Sequence, residues 1–99
     1  MQMDFTLKNT QTKGADIKDF LQDKTSKLDK YFEGKFHAKW VISYESDEHV
    51  SHLHVNGKNG DYFGEARDHN LLSSIEEAVD RVETQLRRHK EIVKDHHKT

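Results

Sequence analysis

The chain has no cysteine, which excludes a disulfide framework and thiol chemistry. It has no proline, so no ring interrupts a helix from within. Apolar residues are scarce, at 32% of 99 residues with a mean hydropathy of -1.03. No apolar run is long enough to span a membrane, and the N-terminus has no apolar signal segment. A cytoplasmic location is the expectation that fits. The formal net charge is only -2, so there is no global attraction to nucleic acid. Any phosphate-binding surface must come from locally segregated charge.

What is present is regular spacing. Met3, Phe5 and Leu7 alternate with polar residues, the period of a strand with one wet face. From about Ala15 the period becomes helical, with Ile17, Phe20, Leu21, Leu28, Tyr31 and Phe32 on one face and Gly34 placed to stop it. Asp16 and Asp19 lie near the helix start, where the dipole favours acids. Ala38, Trp40, Ile42 and Tyr44 mark a second strand, and residues 45–49 read as a polar loop. Residues 50–55 form a third strand, with Ser51, Leu53 and Val55 opposite His52 and His54. Asn56-Gly57-Lys58-Asn59-Gly60-Asp61 is a turn, and residues 62–66 return as a fourth strand. Its small residues, Gly64 and Ala66, admit a close helix.

The last third predicts one long amphipathic helix from Asn70 to about His96. Ile75, Val79, Val82, Leu86 and Val93 form its stripe, with His89 at the missing step. Asn70 is a good N-cap, and Ser73-Ser74-Ile75-Glu76 offers a capping box one turn later. The expected architecture is a two-layer α+β fold, β-α-β-β-β-α, with a four-stranded sheet and both helices on one face. The 99 residues are expected to make one domain with a small core.

The chemistry-bearing residues each have a bland reading beside a functional one. His52 and His54 share a strand face, but no HExxH, CxxC or matching acid completes a zinc site. They fit the wet face of the sheet, where imidazoles can also meet a nucleic acid. Asp68, His69, Ser73 and Ser74 lack a nucleophile elbow, and the glycines form no phosphate loop. No catalytic residue, metal or cofactor is expected. Charge is sorted along the long helix. Residues 71–83 carry Glu76, Glu77, Asp80 and Glu83 against Arg81. Residues 84–99 carry Arg87, Arg88, Lys90, Lys94 and Lys98 against Glu91 and Asp95. The helix dipole prefers that order by ~0.3–1 kcal/mol per charge, so the sorting alone does not prove a site. Lys24 is different, because it projects from within the apolar stripe of the first helix. Either its stem packs and its ammonium snorkels to water, or the charge is held for an anionic partner. Lys27 and Lys30 continue that flank. Side-by-side helices would join these lysines to the arginines in one basic patch, which would bind phosphate in a salt-dependent way.

These residues resemble a known family. Tyr31-Phe32, Leu53-His54-Val55-Asn56-Gly57 and Gln85-Leu86-Arg87-Arg88-His89-Lys90 are similar to the ribosome hibernation-promoting factors, the ribosome-associated inhibitor or protein Y group, also called sigma-54 modulation proteins. The similarity includes Lys24-x-x-Lys27-Leu28, Ile75 and Asp80-Arg81, and runs over nearly the whole chain. It implies a fold laid out like double-stranded-RNA-binding domains. It implies binding to the small ribosomal subunit, against ribosomal RNA in the mRNA and tRNA channel at the decoding region. Translation would be blocked there in stationary phase or stress. By position, the RNA-facing bases implied are Lys24, Lys27, Arg81, Arg88 and Lys90. Lys30, Arg87 and Lys94 join them on local charge.

The chain departs from the pattern where members carry Asp-x-Tyr and it has Asn70 and Leu72. Its middle loop, residues 45–49, looks shortened. It ends at His96-His97-Lys98-Thr99 without a second domain or an acidic tail, like the short type that promotes ribosome dimerisation with a separate ribosome modulation factor. The competing reading is a protein-interaction module. It would be a sigma-factor modulator, or a homodimer through the wet sheet face using Trp40, Tyr62 and Phe63. A third is a small metalloenzyme using His52 and His54.

Overall fold

The computed structural model describes residues 1–97 other than Glu33 and Asn59, and beyond His89 it describes only the backbone. The elements are β1 (Gln2–Lys8), α1 (Gly14–Thr25), a 3-10 segment (Ser26–Tyr31), β2 (His37–Glu45), β3 (Glu48–Gly57), β4 (Gly60–Asp68) and α2 (Leu71–His97). The expected β-α-β-β-β-α order is found. The sheet order is β1-β2-β3-β4, with β1 parallel to β2 and the other pairs antiparallel. A parallel pair needs a crossover, which α1 and the 3-10 segment supply.

Alternation sorts the sheet into two faces. Ala38, Trp40, Ile42, Leu53, Val55, Tyr62 and Ala66 are buried beneath the helices, with Met3, Phe5 and Leu7 packed at their margin. The helices contribute Ile17, Leu21, Ile75, Ala78, Val79, Val82 and Leu86, and the 3-10 segment contributes Leu28. Each fully buried large apolar side chain stabilises by about 1.5–3 kcal/mol. The Trp40 indole Nε1–H donates to Thr25 Oγ1 at 3.0 Å, and that hydroxyl donates to the Leu21 carbonyl at 2.6 Å. The buried tryptophan is thereby tied to the last turn of α1.

Three boundaries differ from the sequence reading. The first helix ends at Thr25, not at Gly34. The Thr25 hydroxyl bonds back four residues, Ser26 Oγ donates to the Asp23 carbonyl at 2.6 Å, and the chain tightens to three residues per turn. Leu28 and Tyr31 are three apart, so both still face inward and mimic a longer α-helical stripe. Phe32 is already extended (φ -118, ψ 129) before Gly34 is reached. The expected loop over residues 45–49 is only Ser46-Asp47, because Glu45 pairs with Glu48. Both turn residues have positive φ, 51° and 65°. That is the hairpin geometry whose twist matches the strands, adopted here without glycine or asparagine. β3 and β4 are likewise longer than expected, so Gly57 pairs with Gly60.

Asn70 is the cap of α2, since its Oδ1 accepts from the Ser73 N–H at 3.0 Å. The later capping box is not used, because α2 has already begun at Leu71 and Ser73 lies within its first turn, while the next residue, Ser74, is fully buried. Ser74 Oγ donates to the Leu71 carbonyl at 2.7 Å and lies 2.8 Å from Ser51 Oγ. Its single proton is committed to that carbonyl, so Ser51 on β3 is the donor of the pair. A few residues on, α2 meets β4 at Gly64. A Cβ there would collide with the Ala78 carbonyl oxygen and stand 3.0 Å from Val82 Cγ2. Backbone cannot move aside as a side chain tip can. Gly64→Ala should therefore destabilise by about 1–3 kcal/mol. For a chain of this size that lowers the thermal midpoint by at least about 4 °C. Gly34→Ala, which meets nothing within 4 Å, is the control and should leave the midpoint nearly unchanged.

Candidate nucleic-acid interface

The core stripe of α2 leaves it two polar flanks. One faces α1. There Lys24 Nζ lies 3.6 Å from Glu76 and Lys30 Nζ lies 3.5 Å from Glu83. Each lysine also sits over an aromatic ring, Lys24 above Phe20 at 5.4 Å and Lys30 above Tyr31 at 5.3 Å. The Lys24 side chain is 21% exposed, so its stem is packed while its ammonium finds a carboxylate rather than open water past a sheet edge. Lys27 and Arg87 are exposed.

The other flank overhangs the outer edge of β4. Arg81 and Arg88 line a groove there with Arg67, Gln85, Phe63 and Glu65. Arg81 donates to Glu77 at 2.9 Å, the i,i+4 pair expected of an exposed helix. Gln85 clamps the edge strand. Its Nε2 donates to the Phe63 carbonyl at 2.5 Å, and its Oε1 accepts from the Phe63 N–H at 3.4 Å. One outward-facing peptide of an otherwise open edge is thus covered by a side chain.

The single basic patch expected across the helix pair is therefore divided. Lys24 and Lys30 stand on the α1 side of α2 against Glu76 and Glu83, while Arg81 and Arg88 stand on the β4 side. Residues 76 and 83 are seven apart, as are 81 and 88, and α2 itself lies between the two rows. The side chains of Lys90 and Lys94 lie outside the described residues. Arg67 was not anticipated, because the fourth strand was read as ending at residue 66. Carrying the two-residue period one step further would have put it on the open face beside Glu65.

The open sheet face also differs from expectation as an aromatic surface. Trp40 and Tyr62 are buried on the helix side. Of the three aromatics named for that face, Phe63 alone stands on it, 62% exposed. His52 and His54 do lie on this face. Three histidines of the sheet each face a carboxylate: His37 Nε2 with Asp4 at 2.7 Å, His54 Nε2 with Asp61 at 3.1 Å, and His52 Nε2 with Glu65 at 3.7 Å. Among the described residues no three His, Asp or Glu groups gather as a metal cage.

Asp61 accepts from Asn56 and pairs with His54, and these hydrogen bonds, Asn56 first, hold its carboxyl below the usual 3.8. Burial pushes the Tyr62 phenol above 10.0.

A model of the family described as sigma 54 modulation protein / S30EA ribosomal protein matches residues 4–94. The chain belongs to this family. It is 33% identical to the ribosome hibernation promoting factor of Salmonella typhimurium, over 97% of this chain and 100% of that one. The Escherichia coli protein of the same name is 31% identical over the same shares. Among solved structures, the Thermus thermophilus protein Y N-terminal domain superposes with a TM-score of 0.78 at 30% identity, covering 89% of this chain and 98% of that one. A ribosomal subunit interface protein from Coxiella burnetii shares the fold alone, with a TM-score of 0.68 at 9% identity over 87% of this chain and 96% of that one. The family's layout is thus the one built here.

The sign of the Asp61 effect is fixed by the direction of its shift. A depressed folded value adds stability above the unfolded 3.8, and that stability is lost as pH falls below it. The urea midpoint should therefore drop on going from pH 6 to pH 3, and Asp61→Asn should shrink that drop.

Proposed function

We propose that this chain is a ribosome hibernation factor that binds the small ribosomal subunit in the mRNA and tRNA channel and inhibits translation in stationary phase or stress. What carries this reading is similarity over the full length of proteins named for ribosome hibernation, within a family matched over residues 4–94. Residues 1–99 act as one ribosome-binding domain, in the cytoplasm where ribosomes are. The chain works by occupancy, without turnover or a cofactor. It promotes ribosome dimerisation together with a separate ribosome modulation factor.

The RNA-facing groups are cations on both flanks of α2. Arg81 and Arg88 act from the β4 side, Lys24, Lys27, Lys30 and Arg87 from the α1 side, and Lys90 and Lys94 along the end of the helix. A guanidinium offers five donors in a fork that fits phosphate, and the pair with Glu77 engages only one end of Arg81. Lys24 and Lys30 exchange a carboxylate partner for phosphate at little cost, since one member of each pair is well exposed and such surface pairs are worth about 0–1 kcal/mol.

Sucrose-gradient profiles should show the protein on small subunits, with binding that weakens as salt rises. Reversing both Arg81 and Arg88 to Glu should lower the slope of log affinity against log salt by roughly 2, about one for each phosphate contact. An unchanged slope would remove these two arginines from the interface. Lys24 is tested by a charge swap. Lys24→Glu should cost less than about 1 kcal/mol of stability, and adding Glu76→Lys should restore it. Ribosome affinity should stay reduced in the double variant if RNA reads Lys24, and should recover with stability if the lysine serves only its helix partner.

A further inference from the structure

We propose that the groove between β4 and α2 holds an unstacked, single-stranded RNA nucleotide, with its base against Phe63 and its phosphate at Arg81 and Arg88. This rests on the ribosomal RNA reading above and specifies what that RNA must present.

Phe63 is the anomaly that leads here. It lies on an outer strand and is 62% exposed, the largest exposure among the large apolar side chains of the described residues. Its ring is not loose. His54, its cross-strand partner in register, stacks on it at 4.4 Å between centroids and 6° between planes. His54 is in turn held by Asp61, which Asn56 also binds. Gln85 fixes the Phe63 backbone at both its N–H and its carbonyl. One ring face is thus occupied, and the residue also lines the groove that carries Arg81 and Arg88.

A preorganised aromatic ring beside guanidinium groups is the chemistry that recognises an extruded nucleotide. Every base has a π-face, so stacking tolerates sequence, while the cations follow the backbone. Duplex RNA cannot use such a ring, because its bases are already stacked. Glu65 lines the strand wall of the groove and repels phosphate from it, while Glu77 on α2 engages only one end of Arg81 and leaves Arg88 open to phosphate. The phosphate therefore sits at the arginines on the helix, and the base lies over the strand edge. Chemistry of this kind is expected where ribosomal RNA is looped or bulged.

Binding of the full chain to purified small subunits, measured across a salt series, tests the proposal with four proteins: wild type, Phe63→Leu, Phe63→Trp and Arg88→Glu. Phe63 is surface-exposed, so its variants should fold, and thermal midpoints check this. Leucine keeps an apolar contact but loses the π-face, and should weaken binding about 5- to 150-fold without changing the salt slope. Tryptophan should match or exceed wild type. Arg88→Glu should lower the slope by about 1. Failure of the wild type to bind small subunits overturns the ribosome reading itself. Wild-type binding with an undiminished Phe63→Leu overturns the stacking proposal alone. A Phe63→Trp variant as weak as Phe63→Leu also overturns it, since a shape-specific apolar contact would then be at work.

Discussion

Helix α2 rests on the sheet at a point where only glycine fits. Gly64 on β4 lies against the carbonyl oxygen of Ala78, so backbone meets backbone. Around that contact the facing residues are also small, Ala66 below and Ala78 above. The Ser51–Ser74 hydroxyl pair fixes the N-terminal end of the same helix to β3. A buried hydroxyl pair has directional geometry, and close packing has no tolerance for an added methyl, so together they set the height and rotation of α2. Its two polar flanks point where they do because of this seat.

The consequence for electrostatics is that α2 acts as a divider. Its α1 side presents acids that meet Lys24 and Lys30, and its β4 side presents Arg81 and Arg88 over a strand edge. Cations and carboxylates are interleaved rather than massed, in keeping with a net charge of -2. Exposed ion pairs of this kind contribute little stability. Pairs this weak yield readily to a stronger, multidentate partner. In this way a chain without overall positive charge would present the proposed surface for ribosomal RNA.

The opposite face of the sheet follows different rules. Histidines face carboxylates across the strands, and Phe63 stands among them stacked on His54. The aromatic interface envisaged from composition does not form, because alternation sends Trp40 and Tyr62 inward. Phe63 is left outside by the same two-residue period that buries Tyr62. It lies at the one place where the open face, the strand edge and the arginine flank of α2 converge.

Periodicity alone was sufficient for the order of elements, the two-layer class, the Asn70 cap as one of two options, and the small residues that admit α2. These features depend on neighbours a few residues apart, and the chain displays those directly. The length of the first helix was overread because Leu28 and Tyr31 satisfy a three-residue turn as well as an α-helical one. The hairpin at Ser46-Asp47 was hidden because Ser46 does not advertise positive φ and Asp47, with no glycine beside it, is a weak turn signal. The parallel placement of β1, the partners of Lys24 and Lys30, and the separation of the arginines from the lysines were beyond sequence. Each depends on which element lies beside which. That was decided by the close seat of α2 on Gly64 and by the crossover through α1, contacts between residues far apart in the chain.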